Sequence, residues 1–233
     1  MSLPKISLPL YEIKIPSNGK TIKFRPFTVK ENRILLLASE SQSTEQIVLA
    51  TKQIISLCVQ DDIDVESLPM FDIEFLFLNI SAKSNGEIVD YIIKCGKCEH
   101  ENPYSLNLLD VTVPVQDSKN NTIKLSDTIG VVMKYPTINV SDLVQNAENK
   151  TEATNDVIIS CIDYVYDSES VFYPKDYTRE ELVEYIESFT DENLSKINAW
   201  FKSIPEVTTV AKFKCKKCDH DNEYEIKGIK NFL

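Results

Sequence analysis

Four of the six cysteines in this chain fall in two C-x-x-C pairs, Cys95/Cys98 and Cys215/Cys218, and no other side chains are so clearly spaced for chemistry. Two thiolates separated by two residues can face one ion from a tight turn, and two such turns complete a tetrahedron. The flanks match too: Lys94-Cys95-Gly96-Lys97-Cys98-Glu99-His100-Glu101-Asn102-Pro103-Tyr104 parallels Lys214-Cys215-Lys216-Lys217-Cys218-Asp219-His220-Asp221-Asn222-Glu223-Tyr224. Each turn follows a β-prone run, residues 88–93 and 207–213, and leads into an alternating one, which reads as strand, knuckle, strand. The spacing predicts one structural zinc per chain, held by Cys95, Cys98, Cys215 and Cys218.

Other uses of these thiols fit less well. A C-x-x-C redox centre needs only one pair, and a disulfide does not persist in a reducing cytosol. A catalytic zinc needs an open coordination position and a nearby base, whereas four thiolates close the shell. The zinc deaminase order, H-x-E ahead of P-C-x-x-C, is reversed here: His100 and His220, the chain's two histidines, follow their cysteine pairs. Their matched offsets suggest a turn or a hydrogen bond beside the thiolates, with replacement of one cysteine ligand as the alternative. Cys58 and Cys161 lie alone in apolar stretches and are expected in the core.

The elements that position the pairs recur in two halves. Residues 13–15 lead through Asn18-Gly19, a hairpin signal, into residues 20–24, and residues 111–115 lead through 117–121 into 122–125. Thr28 and Glu31 have capping-box spacing ahead of a helix, with a looser counterpart at 140–144. Helical segments from about Thr44 and Thr151 end in Ile-Ile-Ser and a nearby cysteine, and further helices cover 69–83 and 190–203. The predicted fold is α+β with two pseudo-repeats. Each is a β-hairpin, a helical segment and a zinc-knuckle hairpin, and one shared zinc-ribbon site near a pseudo-twofold axis joins them. The expected divisions are an extended N-terminal arm at 1–11, a first repeat at 12–109, and a second at 110–233 with a helical insertion at 173–188. Flexible stretches are expected at 84–87, 118–121 and 145–155. The arm is apolar and punctuated by Pro4 and Pro9; it docks on a neighbour or covers the protein's own core.

The chain has 233 residues, 42% of them hydrophobic, enough for a real core. No stretch reads as a signal peptide or membrane span, so a soluble protein made in a cytosol is expected. With 36 acidic against 25 basic residues the net charge is -11, which repels phosphate backbones and argues against nucleic acid as the main partner. Lys94, Lys97, Lys212, Lys214, Lys216 and Lys217 cluster around the cysteine pairs. They offset the two negative charges of a four-thiolate zinc site or contact an acidic partner. Five glycines leave little material for a phosphate-cradling loop, and the acidic runs at 61–64 and 180–181 read as solvated faces. Neither histidine can serve a distant serine as base. No enzyme activity and no small-molecule substrate are expected.

Lys23-Phe24-Arg25-Pro26-Phe27, Lys30-Glu31-Asn32 and Leu35-Leu36-Leu37-Ala38, followed by the distant C-x-x-C pairs, resemble the baseplate-protein family of T-even-type contractile-tailed phages. The likeness extends over nearly the whole chain. It implies a non-catalytic structural part of the baseplate hub near the tail tube, assembled in the host cytoplasm and retained in the virion. The partners it implies are other hub, wedge or tail-tube proteins. A hub assembly factor or chaperone that does not stay in the virion is the alternative within the family. Outside it, a zinc-ribbon adaptor for nucleic acid or transcription is favoured by the lysines and opposed by the net charge.

Overall fold

The structure is a computed structural model that describes residues 6–41, 43–115, 121–140, 143–144 and 147–228. In chain order its elements are β1 (Tyr11–Lys14), β2 (Thr21–Phe24), α1 (Val29–Glu40), α2 (Thr44–Cys58), α3 (Met70–Asn85), β3 (Ile88–Lys94), β4 (Glu101–Asn107), β5 (Thr122–Lys124) and β6 (Gly130–Met133). After these come α4 (Lys150–Cys161), β7 (Ile162–Tyr166), β8 (Val171–Phe172), α5 (Arg179–Glu187), α6 (Asp191–Lys202), β9 (Thr208–Lys214) and β10 (Asp221–Lys227). The mixture of helices and antiparallel strands is the expected α+β class.

The chain forms two compact units. One contains the chain up to Val65, Phe71–Val115 and everything from Glu206 on; the other contains Glu66–Met70 and Gln116–Pro205. This grouping cuts across halves divided at 109/110, because the second knuckle hairpin belongs with the elements of the first half. Thr112 explains the join. It exchanges backbone hydrogen bonds of 2.8 Å with Thr208 in both directions, so the chain a few residues past β4 is bridged to the first residue of β9, the strand entering the second knuckle.

In the first unit, Gly19 takes the positive φ that the β1–β2 turn needs, and β2 continues onto the end of α2 through Arg25 N–H to the Cys58 carbonyl. The capping box forms as predicted: Glu31 accepts from the Thr28 N–H at 2.6 Å and the Thr28 hydroxyl at 3.0 Å. Arg25 grips the same carboxylate through both terminal nitrogens, at 2.6 and 2.9 Å. That pairing, with the Thr28 donors, holds the buried Glu31 carboxyl well below its ordinary value, at about 2. The α3 helix buries Phe71, Ile73, Leu76, Phe77, Leu78 and Ile80. Its Leu78 and Ala82 share a cluster with Leu106, Leu108, Val111 and Val207, so the elements flanking both knuckles rest on one core.

The second unit has a four-stranded antiparallel sheet in the order β5-β6-β7-β8. Ile123, Val131, Met133, Ile158, Cys161, Ile162, Ile186, Ile197 and Trp200 form its core. The sequence expectation of a hairpin joining 111–115 to 122–125 is corrected here: Thr122–Lys124 pairs with Gly130–Met133 instead, since 111–112 is engaged with Thr208. The polar run 145–155 is also partly corrected, because Asn149 caps a helix that begins at Lys150. The flexible stretch expected at 118–121 falls almost wholly outside the described residues, and so does part of the helix expected at 140–144. Thr178 and Thr190 cap α5 and α6, which fall within the helices expected at 173–188 and 190–203.

A candidate metal centre

Each knuckle is a two-strand ribbon closed by one tight turn. β3 and β4 pair in register from Ile88↔Asn107 to Lys94↔Glu101, and β9 and β10 from Thr208↔Lys227 to Lys214↔Asp221. In the first turn Cys95 N–H donates to the His100 carbonyl at 2.9 Å and Glu99 N–H to the Cys95 carbonyl at 2.9 Å. The second turn repeats this with Cys215, His220 and Asp219 at 2.9 and 3.0 Å. The reversal needs one residue in the left-handed region, and Glu99 and Asp219 both take it, each with φ 56°.

The two turns bring all four sulfurs within 4.8 Å of one another. Cys95 Sγ lies 3.7 Å from Cys218 Sγ, and Cys98 Sγ lies 3.7 Å from Cys215 Sγ, so the close contacts run between knuckles. A tetrahedron with metal–sulfur bonds of about 2.3 Å has edges of about 3.8 Å. The two separations that join the knuckles are therefore those that one ion coordinated by four thiolates requires. Cys95 and Cys215 are buried and Cys98 and Cys218 half-buried, the same pattern in each pair.

Two asparagines tie the pairs together reciprocally. Asn102 donates to its own knuckle's His100 carbonyl at 2.8 Å and to Cys215 Sγ across the site at 3.7 Å, while its oxygen accepts from Lys216 N–H at 3.0 Å. Asn222 does the mirror work: it donates to the His220 carbonyl at 2.9 Å and to Cys95 Sγ at 3.6 Å, and accepts from Gly96 N–H at 3.0 Å. Both are buried, and the Tyr224 hydroxyl adds a bond to the Lys94 carbonyl at 2.8 Å. The signal for the asparagines was their equal offset, four residues after the second cysteine of each pair.

The donors change the acidity of the thiols. Burial opposes ionisation of Cys95, but the N–H groups of Lys97 and Cys98, together with Asn222 and Cys218, outweigh it and bring that thiol down to about 6. Burial likewise opposes ionisation of Cys215, and the N–H groups of Lys217 and Cys218 lead the contacts that lower it. Cys218 moves the other way, to about 12: the His220 N–H favours its thiolate, but the neighbouring thiols of Cys98, Cys95 and Cys215 prevail. The cluster can hold four negative charges together only around a cation.

The histidines contribute through their backbone. Among the described residues the metal-capable cluster consists of the four cysteines, with neither imidazole in it. Cys58 and Cys161 are both fully buried, Cys58 with an Arg25 guanidinium nitrogen 3.8 Å from its sulfur.

The T4 bacteriophage base plate protein family matches residues 8–233. The chain belongs to that family. The baseplate hub assembly protein gp26 of Enterobacteria phage T4 is 26% identical over 224 residues, which cover 96% of this chain and 97% of the relative. No solved structure matches. Membership in the base plate family makes this a structural, non-catalytic phage tail protein whose work is done through contacts with other proteins. Among the described residues no helix is long and apolar enough to cross a membrane.

Proposed function

We propose that this protein is a structural component of the baseplate hub, near the tail tube, and that one zinc ion bound by Cys95, Cys98, Cys215 and Cys218 locks its two knuckles together. The observation that carries the zinc is the set of cross-knuckle sulfur separations of 3.7 Å, close to the edge of a tetrahedral thiolate site. Zinc is the natural ion for four thiolates with a closed shell in a reducing cytosol, where disulfides would not serve as staples. The hub follows from the family and from the near full-length likeness to a protein named for hub assembly. Duplication of one ancestral hairpin–helix–knuckle unit accounts for the reciprocal asparagines and the paired left-handed residues. On this reading residues 12–109 and 110–233 are the two copies, with 173–188 inserted in the second.

Elemental analysis of protein purified without chelator should give about one zinc per chain; metal-free, folded protein would overturn the zinc. Mass spectrometry of purified tails should find the chain in the particle. The relative's name favours a second reading, a hub assembly factor. Tails that lack the protein, from a host in which its deletion blocks hub formation, would establish that reading instead.

A further inference from the structure

The second unit contains a cavity of about 360 Å³ that the metal centre does not use. Tyr166, Phe172, Pro174, Tyr177, Leu182 and Tyr185 supply most of an apolar, largely aromatic lining. Its size is that of a small-ligand pocket, but the one polar side-chain atom in its wall that is buried without a partner, among the described residues, is the Tyr185 hydroxyl, a single group rather than the converging set such a pocket uses for orientation. The two carboxylates in its wall are already engaged locally: Asp167 accepts from the N–H groups of Glu169 and Ser170, and Glu181 from Thr178. Aromatic-lined grooves of this kind suit extended segments containing proline, whose conformation is set before binding.

The chain carries such a segment. Residues 6–10, Ile6-Ser7-Leu8-Pro9-Leu10, precede β1 without helix or strand, with Ile6 89% and Leu10 58% exposed. Lys5, just before them, is the only charged residue among positions 2–11, opposite in sign to Asp167 and Glu181. We propose that the cavity receives the N-terminal arm of a second copy of this chain, with Leu8-Pro9-Leu10 against the aromatic lining. A second copy is the occupant because Ile6 and Leu10 remain uncovered within a single chain, and the arm matches the cavity in apolar character, proline content and charge.

The test uses full-length protein with p-benzoyl-phenylalanine in place of Ile6, mixed with isotopically heavy protein and irradiated. The expected products join position 6 of one copy to residues 165–185 of the other. Leu10→Asp in the arm should reduce them by about tenfold or more, as loss of one buried apolar side chain implies. Leu10 is exposed, so this variant keeps its fold; Leu182→Glu in the copy that supplies the cavity should have the same effect, with an unchanged melting temperature as its control. Crosslinks confined to one copy, crosslinks to other surfaces, or none at all would overturn the proposal. So would a small apolar molecule found in the cavity by native mass spectrometry with the arm uncrosslinked. None of these outcomes alters the zinc stoichiometry or the protein's presence in tails, so the arm can fail while the hub reading stands.

Discussion

At the scale of single residues, the cysteines could be found from spacing alone, while the asparagines that orient them could not. Asn102 and Asn222 stand in matching places in the sequence, but an amide that bonds one knuckle's carbonyl and the other knuckle's sulfur has meaning only once the turns face each other. Asn102→Ala and Asn222→Ala should therefore each weaken zinc retention by about 10- to 100-fold, and by similar factors, as measured by competition with a chromogenic chelator. A large effect from one and none from the other would contradict the reciprocal arrangement. Glu74 was also invisible beforehand. Burial, and then the charge of Glu206, push its carboxyl up to about 7 from an ordinary 4.5. Between those values the unfolded chain has released a proton that the folded chain still holds, so stability falls as pH rises across that window and levels off above it. Glu74→Gln should flatten this slope in urea melts taken from pH 4.5 to 8.

At the scale of elements, helices were legible wherever a cap wrote itself into the sequence. Thr28 with Glu31 begins a helix where its spacing predicts, and Thr178 with Glu181 and Thr190 begin two more inside the helical stretches expected at 173–188 and 190–203, because capping is settled within four residues. The residues that carried the family resemblance gain a physical role here, since Arg25 and Glu31 lock the start of α1 to the end of α2 through the Leu57 carbonyl. Strands fared worse. β5 to β8 are two to five residues long, and alternation that short does not name a partner. The hairpin expected from 111 to 125 failed because Thr112 pairs 96 residues away. The knuckle turns also carry a backbone demand. At φ 56°, Glu99→Val should destabilise by about 1–2 kcal/mol, whereas Glu99→Gly should be neutral or slightly stabilising, in thermal melts of the zinc-bound protein.

At the scale of the whole molecule, composition and charge left the protein with a core and no active site, but they could not reveal that the chain leaves one compact unit at 115 and re-enters it at 206. The two units have separate cores, around Leu78 and Val207 in one and around Val131 and Trp200 in the other. Chelation should accordingly raise hydrogen exchange in β3, β4, β9 and β10 first, while the amides of β6 and β7 stay protected. Equal loss of protection in both would mean that the metal governs the entire fold. The same arrangement bears on synthesis in the infected cell. Cys98 and its nearest partner Cys215 are separated by 117 positions, so at about 5–20 residues per second the first two ligands wait on the order of ten seconds for the others. A nascent or truncated chain can offer only half a binding site. On the zinc reading proposed above, metal uptake marks the moment when a copy is finished, and unfinished copies reach assembly without the clamp.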